Sequence, residues 1–426
     1  MNDSGERSSR RRKLPITILR YRDYRLIWAG ESVSRIGTQM HSIALSWQVY
    51  EITGNVALLG ILGLVRAVAT MTTSLYGGAI ADTTDRRRLL ITTNLILICL
   101  SAGLALATQA GFVNVGALYV VAALVAAAAA FDQPARAALI PTLVPRRRIP
   151  DAMSMNILTG NAAQMIGPAL GGFSVAVFGI AGTYLIDSLT FTAVIIALLF
   201  MRADTSAPVK IRRGSLATIA EGLKFIRATP VIYGVMLLDF LATILGATIS
   251  LTPVFAEEIF DAGAQGLGLL NSAPAVGAVV AGAAISLLPS PRRPGWLIIS
   301  AVAAYGFFLA AFGLSTSLWM GLAFLTLYGA ADAVSMTMRH TIRNLATPDE
   351  LRGRIAATHS AFSSGGPRLG EFQTGITASL IGVRATTLVG GAGIILVAAG
   401  VAWLIPAVAR YQFDPETEDD DEDELS

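Results

Sequence analysis

Long apolar segments follow one another along almost the whole chain, and no other feature limits the possible folds as strongly. Twelve such segments can be marked in the 426-residue sequence. Their approximate bounds are 27–50, 56–80, 88–109, 115–137, 155–178, 181–201, 231–255, 266–288, 295–314, 318–340, 358–382 and 386–409. Because a helix needs roughly 20 apolar residues to cross a bilayer, the pattern predicts an all-α integral membrane protein with twelve transmembrane helices.

The composition argues against a soluble protein. Hydrophobic residues make up 54% of the chain and charged residues only 14%, whereas a soluble domain carries about 25% charged residues. A soluble enzyme with a large buried core is the alternative. A core of this size would not be apolar almost from end to end, because its surface needs polar residues. The apolar surface is therefore expected to face lipid.

Basic residues predict the orientation in the membrane. They cluster in the N-terminus and in every second connecting loop, with Arg384 as the visible exception. The clusters are the N-terminal arginines, Arg86–Arg88, Arg146–Arg148, the segment 202–230, Arg292–Arg293, and Arg339 to Arg354. Since cytoplasmic loops collect Lys and Arg, we expect both termini to be cytoplasmic.

These patterns divide the chain into five regions. We expect a basic cytoplasmic N-terminus at 1–26, a six-helix bundle at 27–201 and a second six-helix bundle at 231–409. The linker at 202–230 carries apolar residues at helical spacing among basic ones, which indicates a short amphipathic helix on the membrane surface. The acidic tail at 410–426 is expected to be disordered.

An internal repeat relates the two bundles. Residues 167–172 read Gly-Pro-Ala-Leu-Gly-Gly in the fifth segment, and residues 366–371 read Gly-Pro-Arg-Leu-Gly-Glu in the eleventh. The matching helix number in each half favours duplication over chance, and it predicts two pseudo-symmetric bundles around a central cavity. Gly167, Pro168, Gly171 and Gly172 are candidates for a helix-packing motif, because glycines allow close helix approach.

The loop after the second segment resembles the signature loop of the major facilitator superfamily. Residues 77–88 read Gly-Gly-Ala-Ile-Ala-Asp-Thr-Thr-Asp-Arg-Arg-Arg, in which Gly78, Asp82, Arg86 and Arg87 match the superfamily pattern. The sequence departs from that pattern at Thr83 and Asp85. The resemblance implies a latch that closes the cytoplasmic side. Plain cytoplasmic topology is the alternative, and it explains the arginines but not Asp82.

Three further stretches resemble the drug:proton antiporter subgroup that includes the enterobactin exporter. They are Tyr24-Arg25-Leu26-Ile27-Trp28, Pro134-Ala135-Arg136 and Leu351-Arg352-Gly353-Arg354. Residues 167–172 also resemble the core of the antiporter motif, although the upstream glycines of that motif are absent. A purely structural role in helix packing explains this core equally well. The resemblance implies a monomeric secondary transporter that exports an amphipathic small molecule, such as a drug or siderophore, by alternating access.

Ionisable residues inside the apolar segments are candidate functional groups, because each costs about 2.5–3.5 kcal/mol on insertion scales. A proton-coupled carrier needs a carboxyl group that is dry in one state and wet in another, because this change alters its affinity for protons. The candidates for this role are Glu371, Asp239, Asp132 and Glu31. Their candidate charge partners are Arg35, Arg66 and Arg368.

Glu371 is the first choice among these acids. It replaces the final glycine of the repeated pattern, so helix packing alone does not require it. The resemblance adds that the enterobactin exporter carries an acidic residue at the matching place. Asp239, in the middle of the seventh segment, is the second choice. Arg35 and Arg368 are spaced to pair with Glu31 and Glu371 on their own helices.

Other functions leave sequence signals that we do not find. The chain has no Gly-x-x-x-x-Gly-Lys-Ser/Thr pattern for ATP and neither a His-Glu-x-x-His nor a Gly-x-Ser-x-Gly motif of an enzyme. We expect no cofactor, no metal site among the three scattered histidines and no nucleic-acid partner, with the proton gradient as driving force. Uptake and lipid flipping stay open as alternatives within transport, and a channel or a membrane-embedded enzyme is a remote one.

Overall fold

The computed structural model describes residues 15–203, 224–288, 291 and 293–412, and the regular secondary structure of these residues is helical. The predicted all-α fold of twelve helices is confirmed. In chain order the first four helices are α1 (Arg22–Thr53), α2 (Val56–Thr83), α3 (Arg86–Gln109) and α4 (Val115–Leu139). The fifth and sixth, α5 (149–178) and α6 (180–200), form the continuous stretch Ile149–Phe200, which is broken at Gly179.

The remaining six helices form the second half. They are α7 (Pro230–Gly246), α8 (Gly263–Leu287), α9 (Pro294–Leu314), α10 (Leu318–Leu345), α11 (Asp349–Ile381) and α12 (Val383–Leu404). A series of short helical turns continues α7 as far as Ile259. Short helices also precede α1 at Pro15–Arg20 and follow α12 at Pro406–Ala409.

Nine helical stretches among the described residues are long and apolar enough to cross a membrane. One of them, Arg146–Phe200, has 55 residues and contains two crossings, α5 and α6. The two helices outside this count are α1 and α11, which carry Glu31, Arg35, Arg368 and Glu371.

The same kind of turn ends the fifth helix of each half. Gly179 between α5 and α6 has φ 72°, and Gly382 between α11 and α12 has φ 85°. Glycine adopts this left-handed region without the steric cost that a β-carbon brings. Each helix can therefore reverse direction within one residue.

Helix packing divides the chain into two bundles, α1–α6 and α7–α12. Within the first, α1 packs on α5 and α6, α2 packs on α4, and α3 packs on α4. The second bundle repeats this arrangement, with α7 packed on α11 and α12, α8 on α10, and α9 on α10. The main contacts between the bundles are α2 with α11 and α5 with α8.

The membrane protein has two faces that differ in their loops. We call one end the basic-loop face, where the connections at 84–85, 140–148 and 346–348 lie, and the other end the opposite face, with connections at 54–55, 110–114 and 382. The Tyr50 hydroxyl donates a hydrogen bond to Glu258 between the bundles near the opposite face. The Ala169 amide donates to Ser272 Oγ at 2.9 Å deeper in the membrane.

The repeated Gly-Pro-x-Leu-Gly pattern performs the same packing role in both halves. A β-carbon built on Gly171 would lie 2.9 Å from Cα of Met40 in α1. One built on Gly370 would lie 2.6 Å from the Cβ of Ala247, in the turn that continues α7. Distances this short mean that only a glycine allows α5 to pack on α1, and α11 on α7, at these points.

The last position of each repeat faces the other bundle. Gly172 lies against Gly268 of α8, where a β-carbon on Gly268 would be 3.0 Å from Cα of Gly172. At the equivalent place Glu371 lies against α2, where a β-carbon on Gly63 would be 2.7 Å from Cβ of Glu371. Glu371 therefore occupies the pseudo-symmetric counterpart of a glycine at the contact between bundles.

One sequence interpretation was wrong. Arg339 to Arg354 were interpreted as a basic loop, yet α10 continues to Leu345 and α11 begins at Asp349. Arg339 is buried inside α10, because an acidic partner from another helix neutralises it. Likewise, α5 begins at Ile149 rather than at 155. The N-terminal residues 1–14, most of the linker (204–223) and the tail from 413 lie outside the described residues.

The α5–α8 contact yields a test. We expect Gly268→Val to loosen it, because the new side chain would collide with the backbone of α5 at Gly172. Overpacking costs about 1–3 kcal/mol, which should raise the labelling rate of a cysteine buried at the bundle contact about fivefold or more. Val254, 1% exposed, provides that position as Val254→Cys in a Cys99→Ser background.

The matched control for this experiment is Gly282→Val on the same helix, where a β-carbon meets no neighbouring atom within 4 Å. Labelling with a membrane-impermeant maleimide should be unchanged in this control. An unchanged rate in Gly268→Val as well would contradict the role of the glycine contact.

Candidate functional site

Three cavities border Gln39 in the middle of α1, and we call them lobes. The lobe between α1, α2, α4 and α11 has about 530 Å³, and we call it the arginine lobe. The lobe lined by α5, α8 and α10 has about 320 Å³ and is called the aspartate lobe. The third, of about 370 Å³ inside the first bundle, is called the clamp lobe. Sizes of 300–1,000 Å³ are typical of small-molecule sites.

The arginine lobe contains Arg66 of α2 together with Arg368 and Glu371 of α11. All three side chains are half-buried. The two guanidinium groups are the charged groups within electrostatic reach of the Glu371 carboxylate. In the described part of the chain, however, none of the three takes part in an ion pair. The expected pairing of Glu371 with Arg368 is thus not made in this structure.

The clamp lobe contains an ion-pair network inside the first bundle. Arg136 of α4 pairs with Asp132 on its own helix and with Glu31 Oε2 of α1 at 3.2 Å. Arg35 lies 3.4 Å from the same Glu31 oxygen and also bonds to Asn156 of α5. Glu31 and Asp132 are 4% and 6% exposed. The two acids of this network are therefore neutralised by two arginines of the protein itself, without any ligand.

A similar network lies in the second bundle. Arg339 of α10 pairs with Asp239 of α7 and, at 3.3 Å, with Asp332 Oδ1 on its own helix. The Asp332 side chain is 47% exposed and borders the aspartate lobe. Beside it the ring of Tyr328 stacks on Tyr305 at 4.4 Å, and the hydroxyl of Tyr328 donates to that of Tyr305.

The two networks are related by the internal repeat. Each places an arginine between an acid of the first helix of its bundle and an acid of the fourth. Glu31 and Asp239 each lie nine residues after the first residue of their helix, Arg22 and Pro230. We call these networks the two arginine clamps. Their carboxylates hold fixed partners within one bundle, whereas Glu371 sits between the bundles.

A buried pair of a histidine and an aspartate lies in the first bundle, and its histidine borders the arginine lobe. His41 Nδ1 lies 3.0 Å from Asp187 Oδ2, and Ser101 Oγ donates to the same oxygen at 2.7 Å. The ring of His41 also packs against Tyr184 with centroids 5.0 Å apart. His41 and Asp187 are 4% and 1% exposed, so this pair is part of the bundle core.

Comparison with known proteins decides the family. The sequence profile of the transmembrane secretion effector family matches residues 14–422. The chain belongs to this family of the major facilitator superfamily. The resemblance drawn from residues 77–88 is confirmed, and the chain is a multi-pass membrane transporter and not an enzyme.

Named relatives of this transporter are enterobactin exporters. The chain is 25% identical over 398 residues to the enterobactin exporter EntS of Citrobacter koseri, which covers 93% of this chain and 95% of the relative. It is 24% identical over 394 residues to EntS of Shigella boydii, at 92% and 94% coverage. The relationship extends over the full length at a distant level of identity.

Solved structures show the same fold. A bacterial homologue of the iron transporter ferroportin in an inward-facing state superimposes with a TM-score of 0.71 at 16% identity, over 89% of this chain and 98% of that chain. The nucleoside transporter NupG gives a TM-score of 0.71 at 12% identity, with coverage of 92% and 100%. A POT family transporter in complex with a thioalcohol-conjugated peptide gives a TM-score of 0.71 at 12% identity, with coverage of 91% and 96%.

The residues of the signature loop are spread over two helices. Gly78 and Asp82 belong to α2, and their side chains lie outside the described residues. Arg86 is buried and donates to the backbone oxygen of Ala138 near the end of α4 at 3.2 Å. Arg87 donates to that of Leu199 near the end of α6 at 3.0 Å. Arginines are favourable there, because helix C-termini carry partial negative charge.

Sequence reasoning did not select Arg136, Arg339, Asp332 or the His41–Asp187 pair as site residues. A usable signal existed for Arg136, which follows Asp132 by four residues. The repeat offered a second signal, because Asp132 and Asp332 both lie on the fourth helix of their bundle. The pairing of Arg339 with Asp239 spans a sequence separation of 100 residues, so only the folded chain reveals it.

The first clamp makes a stability prediction. Arg136→Gln should lower the thermal midpoint of the purified transporter by several degrees, because it leaves Glu31 and Asp132 buried without their shared partner. Breaking a buried pair from one side costs about 3–5 kcal/mol. Arg35→Gln is the control and should cost less, since Arg35 is 25% exposed and shares Glu31 at 3.4 Å.

Adding Asp132→Asn to Arg136→Gln should recover part of the lost stability by removing one uncompensated charge. The clamp would have no structural role if Arg136→Gln melted at the wild-type temperature.

Proposed function

We propose that this transporter exports an amphipathic small molecule from the bacterial cytoplasm in exchange for protons, by alternating access. The observation that carries the proposal is the arginine lobe between the two bundles, where Glu371 lies at the bundle contact and forms no ion pair with the residues described. The exporter names of the relatives support the direction. Because one chain supplies both bundles and all three lobes, we propose that the transport unit is a monomer.

The distribution of arginines supports an orientation with the basic-loop face and both termini in the cytoplasm. The described close contacts between bundles, including Tyr50 with Glu258 and Gly172 with Gly268, lie toward the opposite face. In this orientation they close the outer side. The clamp lobe extends the cavity toward the basic-loop face, because Arg136 lies three residues before the end of α4 at Leu139. This arrangement suits a carrier that receives its cargo from the cytoplasm.

Glu371 fits the proton-coupling role best among the four candidate acids. Its side chain packs against Gly63 across the α2–α11 contact, which must separate when the outer side opens. Opening would bring water to the carboxylate, and closing would remove that water again. Such a change alters the proton affinity of a carboxyl group. Arg66 and Arg368 would stabilise its ionised form.

The other acids have fixed partners inside one bundle. Glu31 and Asp132 share Arg136, and Asp239 pairs with Arg339. A rigid-body movement of the bundles leaves these pairs intact, so their environment changes less than that of Glu371. We therefore assign these acids a structural role in the two arginine clamps.

The signature loop is proposed as the cytoplasmic latch. Asp82 lies near the end of α2, and Arg86 and Arg87 tie the start of α3 to the ends of α4 and α6. These ties would hold the loop in place while Gly78 and Asp82 approach the second bundle in the outward-facing state.

Transport into inverted membrane vesicles tests coupling and direction together. A panel of amphipathic fluorescent dyes should include compounds that accumulate in the vesicles when the vesicle interior is acidified. Protons should leave the vesicle interior as these dyes enter. Glu371→Gln should abolish this acid-driven accumulation and keep downhill exchange of the same dye. The control is Glu51→Gln, an exposed carboxylate at the end of α1 that should transport like wild type.

Two outcomes oppose the proposal. Full acid-driven accumulation by Glu371→Gln would remove Glu371 from the coupling mechanism. Loss of preloaded dye from vesicles under the same gradient would instead show proton-linked movement toward the cytoplasm, which is uptake.

A further inference from the structure

The walls of the central cavity carry charges of opposite sign, and we propose that the cavity binds a zwitterionic amphipathic substrate whose cationic and anionic groups are separated by an apolar chain. This inference rests on the proposed transport function and adds a substrate class to it. The arginine lobe would take the anionic group and the aspartate lobe the cationic group.

The arginine lobe has more positive than negative charge. Arg66 and Arg368 stand against the single carboxylate of Glu371, and His41, which is paired with Asp187, also borders this lobe. In the part of the chain described, the two arginines have no ion-pair partner, which is costly for cations inside a membrane. A guanidinium group binds carboxylates and phosphates through paired hydrogen bonds. A ligand anion would supply the missing counter-charge.

The charged residue that borders the aspartate lobe, among those described, is an acid. Asp332 and Asp239 share Arg339, while Arg343 lies within electrostatic reach of Asp239. Asp332 is the member that borders the cavity, with 47% of its side chain exposed and Tyr328 beside it. An ammonium group is attracted both by a carboxylate and by the face of an aromatic ring, so this pair of residues suits a cationic ligand group.

Neutral polar and apolar groups connect the two lobes. Gln39 and Ser42 of α1 border both, so the two charged regions lie on either side of the same two side chains. The wall of the arginine lobe on α4 is apolar at Ala122, Val125, Ala126, Ala129 and Ala130, and it ends in the neutral amide of Gln133. This wall can hold the apolar body of a substrate while its two charged ends reach opposite lobes.

A substrate with one charge would satisfy only one wall. A simple cation would leave one positive charge of Arg66 and Arg368 uncompensated, because Glu371 balances only one of them. A simple anion would leave Asp332 with only the arginine that it shares with Asp239 when the cavity closes. Charges that stay buried without partners are strongly unfavourable. Electrostatic complementarity therefore selects for a molecule with both charges.

Three probes with the same fluorophore test this selection. Nα-dansyl-lysine has a carboxylate and a distant ammonium group, dansylcadaverine has only the ammonium group, and Nα-dansyl-norleucine has only the carboxylate. Binding is measured by fluorescence with the full-length transporter in lipid nanodiscs, without any gradient. We expect Nα-dansyl-lysine to bind about tenfold or more tightly than either other probe, since each lost charge-assisted contact costs about 1.5–3 kcal/mol.

Two variants separate the two ends of the site. Asp332→Asn should weaken both amine-bearing probes about tenfold and leave Nα-dansyl-norleucine unchanged, because Arg339 keeps Asp239 as partner. Arg66→Gln should weaken both carboxylate-bearing probes and leave dansylcadaverine unchanged. The unaffected probe shows that each variant is folded, and Glu51→Gln should alter none of the three.

The inference is overturned if a singly charged probe binds as tightly as Nα-dansyl-lysine, if none of the three binds, or if a variant weakens all three equally. These outcomes are independent of proton coupling. Selective zwitterion binding without gradient-driven transport would support the substrate class and contradict the proposed exchange for protons. Gradient-driven transport of dyes without selective zwitterion binding would support the exchange for protons and contradict the substrate class.

Discussion

The close contacts between glycine-bearing helices at the bundle interface are the constraint on which the rest of this structure depends. Gly172 meets Gly268 on one side of the cavity, and Gly60 meets Gly375 on the other, where a β-carbon on Gly375 would be 2.7 Å from Cα of Gly60. With so little side chain between them, the helix backbones approach closely at one end. The cavity is the space that remains where larger side chains hold the bundles apart. Glu371 lies beside the second contact, so any movement that opens it also changes the surroundings of this carboxylate.

The charged residues fall into two groups with different physical roles. The arginine clamps place Arg136 and Arg339 each between two carboxylates of their own bundle, which satisfies the buried charges and ties the first helix to the fourth. In the described residues, Arg66, Arg368 and Glu371 form no such pairs and border the cavity instead. Fixed pairs stabilise a bundle as a rigid body. Unpaired charges at the interface are available to a proton or to a ligand, which is what a carrier needs.

The sequence predicted more of the fold than of the site. Twelve helices could be marked because each apolar segment has to match the thickness of the bilayer, and the repeat at 167–172 and 366–371 gave the duplication. The same repeat drew attention to Glu371, because a charged residue stands there at the position of Gly172 in the first copy. The tenth segment was ended at 340 and Arg339 was counted with a basic loop, yet its pairing with Asp239 from α7 allows α10 to continue to Leu345. Neither a local pattern nor a hydropathy profile contains that partner.

The sequence by itself determined a twelve-helix transporter with a duplicated architecture, an orientation expected from its arginines and a short set of membrane-embedded charges. These properties follow from local patterns, namely segment length, composition and a motif that recurs at a fixed helix number. Only the tertiary structure decided which charges neutralise each other and which border the cavity. The pairing depends on helices that are distant in sequence and adjacent in space, such as α1 with α4 or α7 with α10. Within the membrane every unpaired charge is costly, so this spatial choice separates the charges that hold the fold from those left for transport.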